Sequence, residues 1–409
     1  MTETGRHILR RNLSLWQVVL YGLGTTIGAG IYLLLGEVAR LSGSAAPTAF
    51  LVSSLLAIFT ALSFGELVSR FPRSAGTATY VREGFGRRHL ATAIGLMVST
   101  AGCISAAAMA NGFASYLSEF VEIPQGICIA AFVILMVAVA AWGVSKSVTL
   151  AGLITLIEIG GLVVIIWVAG DSLNQVPERW TELLPVFDVR AWHGISAASL
   201  LTFYAYLGFE DMVTVAEEVK EARRTLPLAI GITLGVTTLL YVTLAAVSVL
   251  SVSPEELSES AVPLAFLYER ATGNAPTGIA TVGVLAVVNG ALIQVIMASR
   301  VLYGLAAQGH LPAWLAKVHR KTGTPHYATM AAGALVLVLA LWFPLATLAE
   351  GTSVLTLLVF VMVNLALWRV KGRAEIQAAA FTVPRWVPIV GACSTGMLLC
   401  VRLGGALVG

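Results

Sequence analysis

The sequence predicts an all-α polytopic membrane protein of about eleven transmembrane helices. Three observations predict it. AVILMFWYC residues make up 57% of the 409 positions and charged residues only 11%, with a mean hydropathy of +0.86. An ordinary soluble domain is about 25% charged, so a soluble fold would lack the polar side chains to cover itself. Apolar runs of roughly 18 or more residues recur along the chain. The Lys and Arg residues between them are concentrated in alternate loops.

Span 1, near 14–36, follows the basic stretch MTETGRHILRR with no small-residue cleavage site after it, so it is read as a retained helix. Span 2 (45–69) ends in the basic loop at Arg70 and Arg73. Spans 3 (91–118) and 4 (125–143) hold Cys103 and Cys128. Span 5 (147–169) contains Glu158, and span 6 (194–218) contains Glu210 and Asp211. Spans 7 (225–250) and 8 (276–306) follow, then 9 (327–344), 10 (346–368) and, after Arg385, 11 (386–406). The connections are short, which predicts one membrane domain over 1–409. Its halves would be 1–170 and 194–370, with a peripheral last helix in 371–409.

Orientation follows from the positive-inside rule. With the N-terminus in the cytoplasm, 20 of the 25 Lys and Arg fall in cytoplasmic loops. Arg40, Arg179, Arg190 and Arg270 fall outside, and Arg402 lies within the last run. A missed or invented span would invert every later loop, so the same split supports the count of eleven. An odd count places the C-terminus outside.

Two spans are abnormal. Span 1 reads Gly22-Leu23-Gly24-Thr25-Thr26-Ile27-Gly28-Ala29-Gly30, four glycines beyond the first turns, each weakening a helix by about 1 kcal/mol relative to alanine. Span 6 reads Tyr204-Ala205-Tyr206-Leu207-Gly208-Phe209-Glu210-Asp211, with a glycine and two carboxylates near mid-span. Glycine-rich spans also serve close helix packing. Here, however, the two are five spans apart, so they open two five-span halves. Halves with an odd number of spans have opposite topology. Paired interrupted helices at matching positions of inverted repeats point to a midplane binding site. Half-helix N-termini suit an anion and half-helix C-termini a cation, so together they suit a zwitterion.

Four segments then resemble the amino acid–polyamine–organocation superfamily of permeases, which have the leucine-transporter fold. They are Gly24 to Ile31, Ala61 to Tyr80, Phe203 to Glu218 with Leu226-Pro227, and Ala298 to Ala306 with Gly309 to Pro312. The resemblance implies secondary transport of amino acids or related amines across the cytoplasmic (inner) membrane by a 5+5 inverted-repeat core with spans 1 and 6 broken. It implies that the substrate carboxylate meets backbone N–H groups around Thr26, Ile27, Gly28, Ala29 and Gly30. It also implies that the amino group meets backbone carbonyls at Tyr204, Ala205 and Leu207, with Tyr204 as an outer gate. The family often has Ser or Thr where this chain has Ala29, so no hydroxyl contact is implied there. A packed aromatic is the plainer reading of Tyr204.

A carboxylate inside a span is costly unless paired, hydrated or protonated. Glu158 and Glu210 are the candidate proton-coupling residues. Several relatives resemble a Lys at the Glu158 position, standing where sodium sits in others; an acid cannot mimic that cation, so the mechanism does not transfer. Glu158 is instead read as a proton or cation holder, or as a hydrogen-bonded structural acid. Glu210 is read as a coupling residue or as a cap on the second half-helix. Asp211 is expected to cap the half-helix or to contact span 8 or 10, rather than the ligand. Glu66 and Arg300 read as inner-gate anchors, Glu217 and Glu218 as a solvated helix end with a gate contact as the alternative, and Asn289 and Gln294 as interhelical hydrogen-bonding groups.

Other classes find no support. A net charge of +3 does not imply nucleic acid, and the six histidines and four cysteines make no metal or disulfide spacing. No enzyme motif and no GxxxxGK[ST] loop is present, so neither a cofactor nor ATP is expected. The expected partners are an amino acid or amine, a proton as coupling ion, and the lipid bilayer. The expected mechanism is alternating access with proton symport, the alternative being a polyamine or cationic amino-acid exchanger.

Overall fold

The computed structural model describes residues 11–73, 76–118, 123–142, 144–185, 187–260, 262–373 and 379–408. Ser74 and Ala75, within the second resemblance segment, lie outside them. The order is α1 (Leu15–Ser42), α2 (Ala46–Arg70), α3 (Gly76–Phe85), α4 (Arg88–Ser118), α5 (Gln125–Ala141), α6 (Val144–Val168), α7 (Val176–Leu183) and α8 (Val189–Ala205). A 3-10 segment, Phe209–Glu218, leads to α9 (Ala222–Ser251), α10 (Pro254–Glu259), α11 (Pro263–Thr272), α12 (Thr277–Ala307), α13 (His326–Trp342), α14 (Leu345–Val370) and α15 (Val387–Val408).

Helix ends follow local chemistry. Ser14 caps α1 in a reciprocal box with Gln17, and Ser253 does the same for α10 with Glu256. Asp188 accepts from the N–H groups of Arg190 and Ala191 at the start of α8. Proline occupies the first turn of α2, α7, α10 and α11, where its missing N–H costs nothing.

Each predicted apolar run coincides with helical structure, but not every run is one long helix. Among the described residues, six helical stretches are long and apolar enough to cross a membrane: Leu34–Arg70, Arg88–Ala114, Val148–Val168, Ala222–Ser251, Thr277–Ala307 and Gly351–Val370. α5 and α13 have 17 residues each, and at 1.5 Å per residue they span only about 25 Å. α8 is equally short because the chain breaks after Ala205. Length and apolarity alone therefore single out six crossings. The short helices α3, α7, α10 and α11 interrupt loops that sequence reading leaves unstructured.

α1 is central, packing against α6, α8, α9 and α12. α2 lies along α9 and α4 along α12; α13 packs on α4, α5 and α12, and α15 on α2 and α14. Beneath the centre, Phe64, Phe209 and Phe360 meet ring to ring, with Tyr80 on Phe64 and Phe203 on Phe360. Among the described residues the one strand-like feature is a parallel bridge between Leu13 and Val219. There Leu13 N–H donates to the Glu218 carbonyl and Lys220 N–H to the Leu13 carbonyl, both at 3.0 Å.

Candidate functional site

Both glycine-bearing helices are interrupted, at facing positions. α1 leaves helical geometry at Gly28 (φ −30°, ψ −157°). α8 closes with Tyr206 N–H on the Phe203 carbonyl (3.0 Å) and Leu207 N–H on the Tyr204 carbonyl (3.1 Å). Gly208 then turns the chain at φ +126°, and Asp211 N–H donates back to its carbonyl at 3.1 Å. Only glycine adopts that φ without strain. A Cβ on Gly208 would also sit 2.7 Å from the carbonyl carbon and oxygen of Thr25, so the two breaks meet backbone to backbone.

A residue that sequence reading missed joins them. The buried Tyr241 of α9 donates its hydroxyl to the Thr26 carbonyl at 2.7 Å and lies 3.3 Å from the Ala205 carbonyl. These are carbonyls left over where the helices stop. Nothing local marks Tyr241 in the sequence: it is one aromatic in an apolar run. Tyr241→Phe keeps the ring and removes the donor, so we expect it to destabilise the protein by about 1–3 kcal/mol. Thermal unfolding of the purified variant checks this, and an unchanged melt would contradict the bridge.

Beside the breaks lies a cavity of about 340 Å³. Thr26, Gly28, Gly30, Tyr204, Ala205 and Leu207 line it, so it gathers most of the backbone positions implied by resemblance. Ile27 is fully buried and is not in the lining. The side chain of Ala29 lies outside the described residues. Tyr204 is half-buried on the cavity wall. Two of the expected carbonyl ligands already have partners: Tyr204 accepts from Leu207, and Ala205 faces Tyr241. The far wall comes from α4, α12 and α14, through Ser105, Met109, Gln294, Met297, Thr356 and Phe360 among others.

The acids divide between two places. Glu210 and Asp211 both line the cavity. Glu210 accepts the Gly208 N–H at 2.8 Å, capping the break itself, and Asp211 accepts from Gln294 of α12 at 2.8 Å. Glu158 is not in the lining. It is fully buried on α6, where Asn289 of α12 donates to its Oε1 at 2.9 Å and Tyr32 of α1 donates to its backbone carbonyl at 2.9 Å. Asn289 uses its amide nitrogen on Thr155 as well, at 3.0 Å. Among the described residues, Glu158 Oε2 and Asn289 Oδ1 find no hydrogen-bond partner and are buried. α1 presses on this cluster: a Cβ on Gly24 would overlap Thr155 Oγ1 and lie 2.9 Å from Asn289 Nδ2.

Two charged clusters close the end nearer the start of α1. Glu218 is not a solvated helix end. It is fully buried, with its Oε1 2.7 Å from Nε of the buried Arg300 on α12. Burial follows because the 3-10 segment lies along α9, α1 and α12 instead of projecting. Glu66 is also buried and accepts from Arg70, Lys371 and the Val383 N–H, fastening the segment before α15 to the end of α2. The partners of both acids are far off in sequence apart from Arg70, so spacing alone could not reveal them. Among the described residues, no group of three metal-ligating side chains occurs.

A sequence model of the family described as amino acid permease matches residues 13–405. The branched-chain amino acid permease BcaP of Bacillus subtilis is 27% identical over 422 residues, covering 98% of this chain and 89% of that protein. The vacuolar cationic amino acid transporter 4 of Arabidopsis thaliana is 31% identical over 382 residues, covering 88% of this chain but 63% of its own length. The methylthioribose transporter of Bacillus subtilis is 27% identical over 412 residues, covering 96% and 87% respectively.

Proposed function

The chain belongs to the amino acid permease family, a family of transporters and not of enzymes, and from that premise we propose that it moves amino acids across the cytoplasmic membrane by proton-coupled alternating access. The meeting of two broken helices beside a mid-protein cavity carries this reading. The N–H groups freed at Gly28 suit a carboxylate, and the C-terminal end of α8 suits an ammonium.

The order of elements supports two inverted five-helix halves. α1 and α8 are the broken helices. α2 and α9 follow and pack on each other, as do α4 and α12. A short helix follows α2 and two follow α9, at matching points. In this reading, eleven helices cross the bilayer, the N-terminus is cytoplasmic, and α1 and α8 move against a scaffold of α4, α5, α12 and α13. Those four pack on one another. The Glu218–Arg300 end would be the closed cytoplasmic side.

Coupling is assigned to Glu158 first. With Asn289 Nδ2 committed to Thr155 and Glu158 Oε1, the two remaining oxygens lack a donor. A proton on Glu158 neutralises the buried carboxyl, and its loss leaves a carboxylate whose one hydrogen-bond donor among the described residues is Asn289. Glu210 is the second coupling candidate, since it touches both the break and the cavity.

The lining supports a narrower substrate class. Among the described residues no Lys, Arg or His lines the cavity, two carboxylates do, and most of the wall is apolar. Neutral amino acids with apolar side chains fit it, whereas acidic ones meet like charge at a cost of several kcal/mol. Uptake of leucine, lysine and glutamate into proteoliposomes, with and without an inward proton gradient, tests this. We expect leucine accumulation to rise with the gradient and glutamate uptake to be weaker by at least about tenfold. We expect Glu158→Gln to abolish gradient-driven accumulation while preserving leucine exchange. If Glu158→Gln and Glu210→Gln both accumulate leucine normally, the coupling assignment is wrong. Lysine exchange that responds to membrane potential but not to pH would favour the alternative, a cationic exchanger, for which the paired carboxylates are the supporting observation.

A further inference from the structure

We propose that Arg369, Arg373 and Arg385 form a binding site for the phosphate headgroup of an anionic phospholipid. The three arginines, with Gly84, Phe85, Trp368 and Gly372, line a pocket of about 460 Å³ where α14 ends, α15 is about to begin and α3 abuts. The guanidinium groups are held by neutral partners. Arg369 sits 4.4 Å over the Phe85 ring. Arg373 donates to the carbonyls of Glu83 (2.6 Å) and Gly84 (3.1 Å), and Arg385 to that of Lys371 (2.6 Å). Among the described residues no carboxylate pairs with any of the three. Three fixed positive charges therefore share one pocket, and planar guanidinium forks match phosphate oxygens.

Position makes the phosphate that of a lipid. The apolar stretch of α14 ends at Val370, so the pocket sits where the hydrocarbon ends and headgroups begin. Trp368 and Trp386, 48% and 55% exposed, flank it as interfacial aromatics do. Below it, α15 exposes Ile389, Val390 and Met397 and α14 exposes Leu358, an apolar surface for acyl chains. Basic pockets between helices at this level recognise anionic headgroups. The site reaches the cavity through α14, which lines the cavity with Thr352, Thr356 and Phe360 and packs along α3.

The test is lipid retention by the purified full-length protein, followed by native mass spectrometry and by thermal unfolding. Detergent-solubilised protein is titrated with dioleoylphosphatidylglycerol, dioleoylphosphatidylcholine, or inorganic phosphate alone. We expect phosphatidylglycerol to bind at least about tenfold more tightly than phosphatidylcholine and to raise the unfolding temperature. The triple variant Arg369→Gln/Arg373→Gln/Arg385→Gln should lose that preference while keeping a monodisperse gel-filtration profile. If the triple variant does not fold, the single variants Arg373→Gln and Arg385→Gln serve, each weakening the preference by about threefold. Equal retention of the two lipids, or an unchanged preference in folded variants, overturns the proposal. So does inorganic phosphate alone reproducing the full stabilisation, which would make this a site for free anions.

Discussion

Replacing Gly208 by alanine is expected to lower the initial rate of substrate uptake by about 10–100-fold. Two independent costs converge there. At φ +126° an L-residue is strained, by about 1–3 kcal/mol. The added methyl also lands 2.7 Å from the Thr25 backbone, which cannot step aside like the tip of a flexible side chain. Relief requires the two breaks to separate, and with them the N–H and carbonyl groups that together face the cavity. A loss of about 3 kcal/mol in correctly apposed protein corresponds to about a hundredfold in rate. Gly160→Ala in α6, where a methyl meets nothing within 4 Å, is the matched control and should stay near wild type. Uptake per folded molecule in proteoliposomes reads the difference. Wild-type rates from Gly208→Ala would mean that the breaks need not touch.

The second large effect is on stability. Arg300→Met strands the carboxylate of Glu218, which is wholly buried. Removing one partner of a buried ion pair costs about 3–5 kcal/mol, because the other charge remains without compensation. Glu218→Leu/Arg300→Met removes both charges and should recover most of the loss. The pair also links the 3-10 segment to α12, and so a moving part to the scaffold in the proposed cycle. The double variant is therefore expected to melt near wild type yet transport poorly. Thermal unfolding of the two single variants and the double variant measures the coupling, and additive losses would show that the residues do not interact.

What could be read in advance was what the chain states locally. Hydrophobic runs located the helices, and the glycines of span 1 and the Gly208 region located the breaks, because both signals are contained in short windows. Gln294 on Asp211 was foreseeable as a class of contact, since a polar group in an apolar helix must find a partner. Glu218 misled because two adjacent acids close to Lys220 and Arg223 look like a solvated end. Its burial is decided by α12, some eighty residues on. Tyr241 and the Lys371–Glu66 contact had no local mark at all. Span 6 is longer than α8 because the chain beyond the break resumes as the 3-10 segment Phe209–Glu218, not as α-helix.

The bridge between Leu13 and Val219 has a mechanical consequence when set beside Tyr241. One fastens the start of α1 to the end of the 3-10 segment, and the other holds carbonyls of α1 and α8 at their breaks against one side chain of α9. The first half of α1 is thus tied at one end to the 3-10 segment and at the other, through α9, to the end of α8. Spectroscopic labels at the start of α1 and at the end of the 3-10 segment should therefore report correlated displacements.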